Sequence, residues 1–528
     1  MAHPTVSAPP PQSQIIARAA AVVMLGNVAS RALGLVRETV IADLFGATGM
    51  VSAYRTAAVV PTLVYDLLVG GLISAALVPI LSGYATRERR GELAQVSGAL
   101  FTLLAFILAA TVLALEAIAP FLASLLGGGL DPDLQAAIVR LTRLILPSIF
   151  FFGLSGALTG LLYSRQRFVF PAFGAAAFNL GIILAAVFLA PRLGIAALSW
   201  GVVLGAALQL AIQLPGLAGL RPQIGRLWHP DLGRMALLYA PVVLSIVVSQ
   251  VGTAIDFNLA SRTGPQSRAW MQAATYLIQF PLGLVAAGVA IAILPSLSRL
   301  AGRTDSARFQ RTLATGLRMV LVLILPAAAA LLALGKPLVG LIFEHGAFLA
   351  EDTTFTVRAL ETYLIGLPFA AVDQVLIFAF YARKDPRTPV MVGIVSVGIY
   401  LLVALSLIGR LGFVGLTLAN AAQWAGHALL MVFLTQRRLA QLTGHGIGTA
   451  LLKAGVAAAA MGLSARGAAL WLTEATSGSF LQEALVVAGA GGLGFLIYVI
   501  LLLALRAQEV PLILDLVRGF RRAPARGS

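Results

Sequence analysis

Runs of twenty or more apolar residues recur from Ile15 to Leu505, separated by short polar stretches rich in arginine. A helix needs about 20 residues to cross a bilayer core, and fourteen segments meet that length. They run approximately 15–36, 56–84, 94–126, 136–163, 170–190, 194–216, 234–260, 269–297, 313–334, 355–382, 388–408, 413–435, 447–473 and 480–505. Segments of about 10 residues with alternating polarity, the mark of a membrane barrel, do not occur. The pattern predicts an all-α polytopic membrane protein with about 14 transmembrane helices, numbered 1 to 14 along the chain.

The polar punctuation sets the orientation. One set of alternate loops, together with the basic tail, holds 22 arginines and lysines, among them Arg89, Arg165, Arg299, Arg383 and Arg437. The other set holds five: Arg192, Arg262, Arg268, Lys336 and Arg410. Cytoplasmic loops carry the excess of positive charge, so both termini are expected in the cytoplasm. The Pro/Ser-rich opening reads as a disordered tail rather than a removable signal peptide.

The chain also repeats itself. Gly71–Ser82 (GLISAALVPILS) resembles Gly288–Ser298 (GVAIAILPSLS), with Pro79 and Pro295 spaced by 216 residues. Tyr163-Ser-Arg165 followed by Pro171 matches Tyr381-Ala-Arg383 followed by Pro389, and Arg192-Leu-Gly194 matches Arg410-Leu-Gly412, both at an offset of 218. Three landmarks in one order predict two six-helix lobes in parallel repeat plus two C-terminal helices, an arrangement typical of alternating-access transporters with a site between the lobes. The expected divisions are a disordered cytoplasmic tail 1–14, an N-lobe 15–220, a C-lobe 221–440, helices 13–14 at 441–510 and a basic cytoplasmic tail 511–528.

Composition narrows the function. A soluble domain carries about 25% charged residues, whereas this 528-residue chain carries 11%, with 59% hydrophobic side chains, which excludes a water-soluble enzyme. The net charge of +16 lies in loops rather than on a folded face, so it reads as topology and implies no nucleic-acid partner. The absence of cysteine removes disulfides and thiolate chemistry, and His3, His229, His345, His427 and His445 show no paired ligand spacing, so no metal is expected. Gly489–Gly494 fits G-x-G-x-x-G, but it falls inside helix 14 with no strand before it, and close helix packing explains it. No Walker A sequence and no catalytic constellation is present. The chain therefore reads as a non-enzyme driven by an ion gradient, the membrane potential or downhill substrate movement.

A charged side chain inside a membrane costs at least about 2.5–3.5 kcal/mol at a helix centre, so intramembrane ionisable residues are the strongest functional pointers. Helix 1 and the turn after it hold Ser30, Arg31, Arg37, Glu38 and Asp43. At about 100° per residue, Arg31 and Glu38 share a face while Arg37 lies about 120° away, an arrangement that does not predict one compact ion pair. Arginine's fork suits bidentate binding of phosphate; Arg55 at the start of helix 2 is a weaker candidate, and Asp43 reads as the interfacial end of helix 1. Asp66, Asp256 and Asp373 are the other acids well inside apolar spans, candidates for ion coupling or for pairing with arginine. Gln250, Thr253 and Asn258 could add oxygen ligands near Asp256, and Arg140 and Arg143 read as interfacial anchors.

The segment SRALGLVRETVIADLFGATG from Ser30, the block ALVPILSGY ending at Tyr84, FPLGLVAAGVAIAILPSLS from Phe280 and FYARKDPRTPV from Phe380 resemble the MurJ/MviN family of lipid II flippases, in the MOP exporter superfamily. The resemblance extends over essentially the whole chain. It implies a fourteen-helix, two-lobed fold in the bacterial plasma membrane that moves the undecaprenyl-diphosphate-linked peptidoglycan precursor to the outer leaflet, without covalent catalysis, in cell-wall biogenesis. Ser30, Arg31 and Arg37 match the family's helix-1 motif, whose arginines are thought to bind the diphosphate. Where members usually show an Arg and a Glu-Gly in helix 2, this chain has Tyr65 and Gly70-Gly71; where they show an Arg before the helix-8 proline block, it has Tyr276. Sodium-binding members use polar or acidic residues in helix 11, where this chain has Tyr400 and Ala404, while Asp256 and Asn420 stand at positions consistent with that site; a coupling cation, sodium or proton, is the implied cofactor class. Membrane lipids and cell-wall synthesis machinery are the implied partners. Export of another polyprenyl-diphosphate-linked oligosaccharide, and a non-transporting scaffold for envelope assembly, stay open as alternatives.

Overall fold

The computed structural model describes residues 12–66, 73–85, 88–225, 227–301, 306–439, 441–474, 480–509 and 511, and every regular element among them is helical. Gly70-Gly71, the opening eleven residues and residues 512–528 lie outside the described residues. The chain divides into two compact units, Met1–Arg268 and Ala269–Ser528.

The first unit contains α1 (Gln12–Phe45), α2 (Gly49–Tyr65), α3 (Val78–Ser82), α4 (Arg90–Gly127), α5 (Pro132–Ile145), α6 (Ser148–Ser164), α7 (Val169–Ala172), α8 (Gly174–Leu193), α9 (Ala196–Ala211) and α10 (Pro230–Ser261). Helix α1 packs along α8, α2 along α5, α6 along α9, and α10 along α4. Leu77, Leu81, Leu93, Leu104 and Leu161 lie at its core. Where lipid replaces water, helices associate by close packing rather than by hydrophobic drive. Gly181 of α8 meets α9 at its backbone: a Cβ there would stand 2.6 Å from Gly205 N. Pro147 ends the i→i−4 ladder between α5 and α6, which meet at 43°.

The second unit contains α11 (Ser267–Pro281, beginning in the last residues of the first unit), α12 (Ala287–Ala301), α13 (Ser306–Ala333), α14 (Gly335–Phe343), α15 (Ala350–Ala382), α16 (Arg387–Leu411), α17 (Phe413–Arg438), α18 (Ile447–Glu474) and α19 (Phe480–Ala504). Helix α15 packs on α17 and α13, α16 on α17, and the hairpin of α18 and α19 lies against α13 and α14. A π-helical stretch, Leu282–Ala286, follows Pro281 and joins α11 to α12; another in the first unit, Ile73–Leu77, leads into α3 and Pro79. Proline removes one ladder bond, and a widened turn accommodates the loss.

Each of the fourteen expected segments is occupied by helix in its described part. Among the described residues nine helices are long and apolar enough to cross a membrane, or ten if the bent α5–α6 pair counts as one span. The expected segments outside that set are those of α1, α2, α10 and α17, which are shorter or more polar over the described residues. Large apolar side chains such as Phe106, Leu113, Phe188, Leu402 and Trp471 stand fully outward, as lipid-facing positions must. This is a multi-pass membrane protein.

The repeat is written into the backbone. Gln166 and Lys384, 218 residues apart, both take a left-handed φ of 59°. Gln166 N donates to Tyr163 O and Lys384 N to Tyr381 O, each at 2.9 Å. Gly194 (φ 55°, ψ −139°) and Gly412 (φ 55°, ψ −132°) end α8 and α16 at the same offset. That φ with that ψ is open to glycine and strained for other residues.

Candidate functional site

Three helices of the first unit bring the charged residues of α1 together. Glu38 is 2% exposed and accepts from two arginines at once. Arg37 donates through Nε at 3.1 Å and Nη2 at 2.7 Å to Oε1, and Arg55 of α2 donates through Nη2 at 2.8 Å to Oε2. Arg37 Nη1 donates at 2.8 Å to Asn179 Oδ1 on α8, whose Nδ2 donates at 3.0 Å to the Ser30 carbonyl. A buried carboxylate is tolerable only when paired and hydrogen-bonded, and this one is held on both oxygens.

The arrangement differs from the helical-wheel expectation, which set Arg37 apart from the face of Glu38. Neighbouring residues on a helix diverge by about 100°, but arginine's long stem lets the guanidinium fold across that angle. Of the expected set, the structure brings Ser30, Arg37, Glu38 and Arg55 into one network. Arg31, seven residues before Glu38 on α1, is exposed, as is Asp43. Two guanidiniums share one carboxylate, so the Arg37–Glu38–Arg55 cluster carries a net positive charge. Among the described residues Arg55 Nε is buried with no hydrogen-bond partner.

The acidic candidates are engaged differently. Asp66, capping α2, accepts from Gln250 Nε2 of α10 at 3.2 Å. Asp256 pairs with Arg268 at 3.0 Å, and that guanidinium also lies 3.6 Å from the Phe257 ring centre. Of the polar neighbours expected near Asp256, Gln250 turns to Asp66, and Asn258 donates to Leu125 O at 2.7 Å and accepts from Arg262. In the second unit Asp373 of α15 shares a hydrogen bond of 2.7 Å with His427 Nδ1 of α17, and Asn420 donates to Leu416 O of its own helix at 3.1 Å. Arg143, exposed, lies 3.7 Å from the half-buried Glu116.

Two partners escaped the sequence reading, Asn179 and His427. Each is a polar residue inside an otherwise apolar span, and the need of a buried polar group for a partner was the available signal. Just past the end of α3, Tyr84 donates its hydroxyl to Asp231 at the head of α10.

The sequence profile of the family described as “Lipid II flippase MurJ” matches residues 41–489. A relative from Burkholderia cenocepacia named lipid II flippase MurJ is 33% identical, over 78% of this chain and 81% of its own length. Another, from Vibrio cholerae and named probable lipid II flippase MurJ, is 32% identical over 94% of this chain and 98% of its own. The solved structure titled “Lipid II flippase MurJ, inward closed conformation” shares the fold, with a TM-score of 0.76, 23% identity and coverage of 94% of this chain and 100% of that one. With the profile spanning most of both units and a relative 32% identical over nearly its whole length, the chain belongs to the MurJ family of lipid II flippases.

Proposed function

We propose that this protein moves lipid II, the lipid-linked peptidoglycan precursor, from the inner to the outer leaflet of the bacterial plasma membrane by alternating access, with both termini in the cytoplasm. The observation that carries the reading is the charge balance at α1, α2 and α8: two arginines share one buried carboxylate, and Arg31 adds an exposed cation on the same helix. A diphosphate cannot cross an apolar core without counter-charge, and guanidinium forks pair with it in two-point fashion while staying protonated. Glu38 holds Arg37 and Arg55 in place when no anion is present, and a diphosphate oxygen competes with it for the same N–H groups. Covalent bonds are neither made nor broken. Membrane lipids are the immediate surroundings and cell-wall synthesis machinery the expected partner. Asp66, Asp256 and Asn420 stay as candidate ion-coupling groups.

Complementation of a flippase-depleted bacterium tests this. The wild type is expected to restore growth, and an Arg31→Ala, Arg37→Ala double variant to fail while reaching the membrane in equal amount. Losing two charge-assisted interactions of about 1.5–3 kcal/mol each removes well over tenfold in affinity. Full rescue by the double variant would remove the arginines from the site, and no rescue by the wild type would favour a different polyprenyl-diphosphate glycan or a scaffold.

A further inference from the structure

We propose that Asp373 and His427 form a proton-binding site that couples protonation to the conformation of the second unit. Nothing in the diphosphate chemistry of α1 uses this pair. The coupling half of the proposal rests on the transport reading above, while the proton site itself does not.

Geometry carries it. His427 Nδ1 and Asp373 Oδ1 share a hydrogen bond of 2.7 Å, and the side chains are 13% and 15% exposed. Asp373 stands nine residues before the end of α15 and His427 eleven before the end of α17, about 14 Å and about 16 Å along the two helices at 1.5 Å per residue. In a core about 30 Å thick that is close to the midplane. The other ring nitrogen, Nε2, faces Gly393 of α16, lying 4.0 Å from where a Cβ would stand, and it makes no hydrogen bond among the described residues. One nitrogen is thus fixed on the Asp373 carboxyl group while the other faces α16, bringing α15, α16 and α17 to a single acid–imidazole pair.

The repeat shows that a helix clamp alone does not need titratable groups. At the offset of 218, Asp373 corresponds to Ser155 and His427 to Gln209. There α6 is bonded to the chain just past α9 by Gln213, one turn beyond Gln209, whose Nε2 donates to Ser155 Oγ at 2.7 Å and whose Oε1 accepts from Thr159 at 3.0 Å. The first unit ties the equivalent helices with neutral groups. The second uses an acid and an imidazole, groups that can each bind or release a proton.

Other ionisable groups on the surrounding elements are occupied or distant in sequence. Tyr381, eight residues on along α15, interacts electrostatically with Asp373. On α13, Arg318 bonds Gln508 and Glu509. Arg383 at the end of α15 lies over Phe309, and Arg438 of α17 reaches Thr388 on α16. Tyr363 of α15 stacks on Trp424 of α17, and Tyr400 of α16 is buried.

Two measurements on the full chain test the site. Protection of backbone amides against hydrogen exchange, taken relative to the intrinsic exchange rate at each pH and compared in lipid nanodiscs without substrate at about pH 5.5 and about pH 8, is expected to change along α15–α17 in the wild type and to stay unchanged in His427→Gln, which keeps a hydrogen-bonding side chain without an ionisable ring. In proteoliposomes carrying lipid II, one proton per substrate makes accumulation shift by about tenfold for each unit of pH gradient in the wild type and by less than about twofold in His427→Gln. Identical pH response of exchange in the two proteins would overturn the proton site. If exchange responds as expected but wild-type accumulation ignores the gradient, the coupling fails and the site stands. Absence of any lipid II movement by the wild type would strike the transport reading instead, with the exchange experiment still deciding this one.

Discussion

The turn closing α6 at Gln166 and the turn closing α15 at Lys384 share a φ of 59° and the same backbone hydrogen bonds, yet the units they belong to carry different chemistry inside the membrane. The first gathers fixed charge: two guanidiniums on one carboxylate, with an amide from α8. The second holds an acid–imidazole pair where the first has a serine–glutamine bond. Backbone devices such as a left-handed turn or a glycine stop constrain whole helices, so they are kept as a set. Side chains within the same frame can be exchanged, provided that every buried polar group still finds a partner. The permanent cations suit an anion whose charge never changes, and the titratable pair suits a signal that does.

The largest expected difference between the units comes from removing their acids. Glu38→Gln leaves two guanidiniums without counter-charge in a buried site and should cost about 3–5 kcal/mol, whereas Asp373→Asn keeps an acceptor for His427 and should cost about 1–3 kcal/mol. Thermal unfolding of both variants in detergent checks the ranking; equal losses would mean that the Glu38 cluster is solvated rather than buried. Next come the shared stops. Gly194→Ala and Gly412→Ala should each cost about 1–3 kcal/mol, because alanine is strained at that backbone conformation. A Cβ at Gly194 would meet no atom within 4 Å, so strain and not collision is the cause there. Matching losses would confirm the equivalence of the two turns, and a loss in one unit alone would break it.

The smallest effect concerns pH. Asp385, in the turn between α15 and α16, is held below the usual carboxylate range chiefly by the Thr388 hydroxyl, which donates to Oδ2 at 2.6 Å, against the opposing pull of burial. The first unit has Arg167 at the equivalent position, bonded to Gly216 O at 2.7 Å. A depressed carboxylate contributes stability that is fully present above its unfolded value of about 3.9 and is lost as pH falls through the lower folded value. The deficit of Thr388→Val in melting temperature should therefore be constant near neutrality and shrink as the medium becomes strongly acidic. A deficit that grows on acidification would contradict this assignment.

Much of this was legible in the chain. Long apolar runs are dictated by bilayer thickness, so helix occupies the described part of each of the fourteen expected segments, and the 218-residue offset reappears in backbone angles. Helix α14, nine residues long, was too short to register against that yardstick. The segments α1, α2, α10 and α17, which fall short of the apolar test, are those carrying Arg31, Arg37, Glu38, Arg55, Asp256 and Asn420, with Asp66 just past the end of α2, whereas the candidate Asp373 lies in α15, which passes it. Most candidate positions could therefore be read from interrupted hydrophobicity. Their partners could not: Asn179 reaches Arg37 from 142 residues away, and His427 reaches Asp373 from 54, separations that no helical period encodes.

The central claim is that α1 presents guanidinium charge to a diphosphate. Binding of purified lipid II to the protein in nanodiscs, measured for the wild type and for Arg31→Ala, Arg37→Ala, tests it most directly. The account predicts saturable binding that competing inorganic diphosphate weakens and that drops by well over tenfold in the double variant, as expected when charge-assisted bonds of about 1.5–3 kcal/mol are lost. Equal affinity in the two proteins, unaffected by diphosphate, would contradict it.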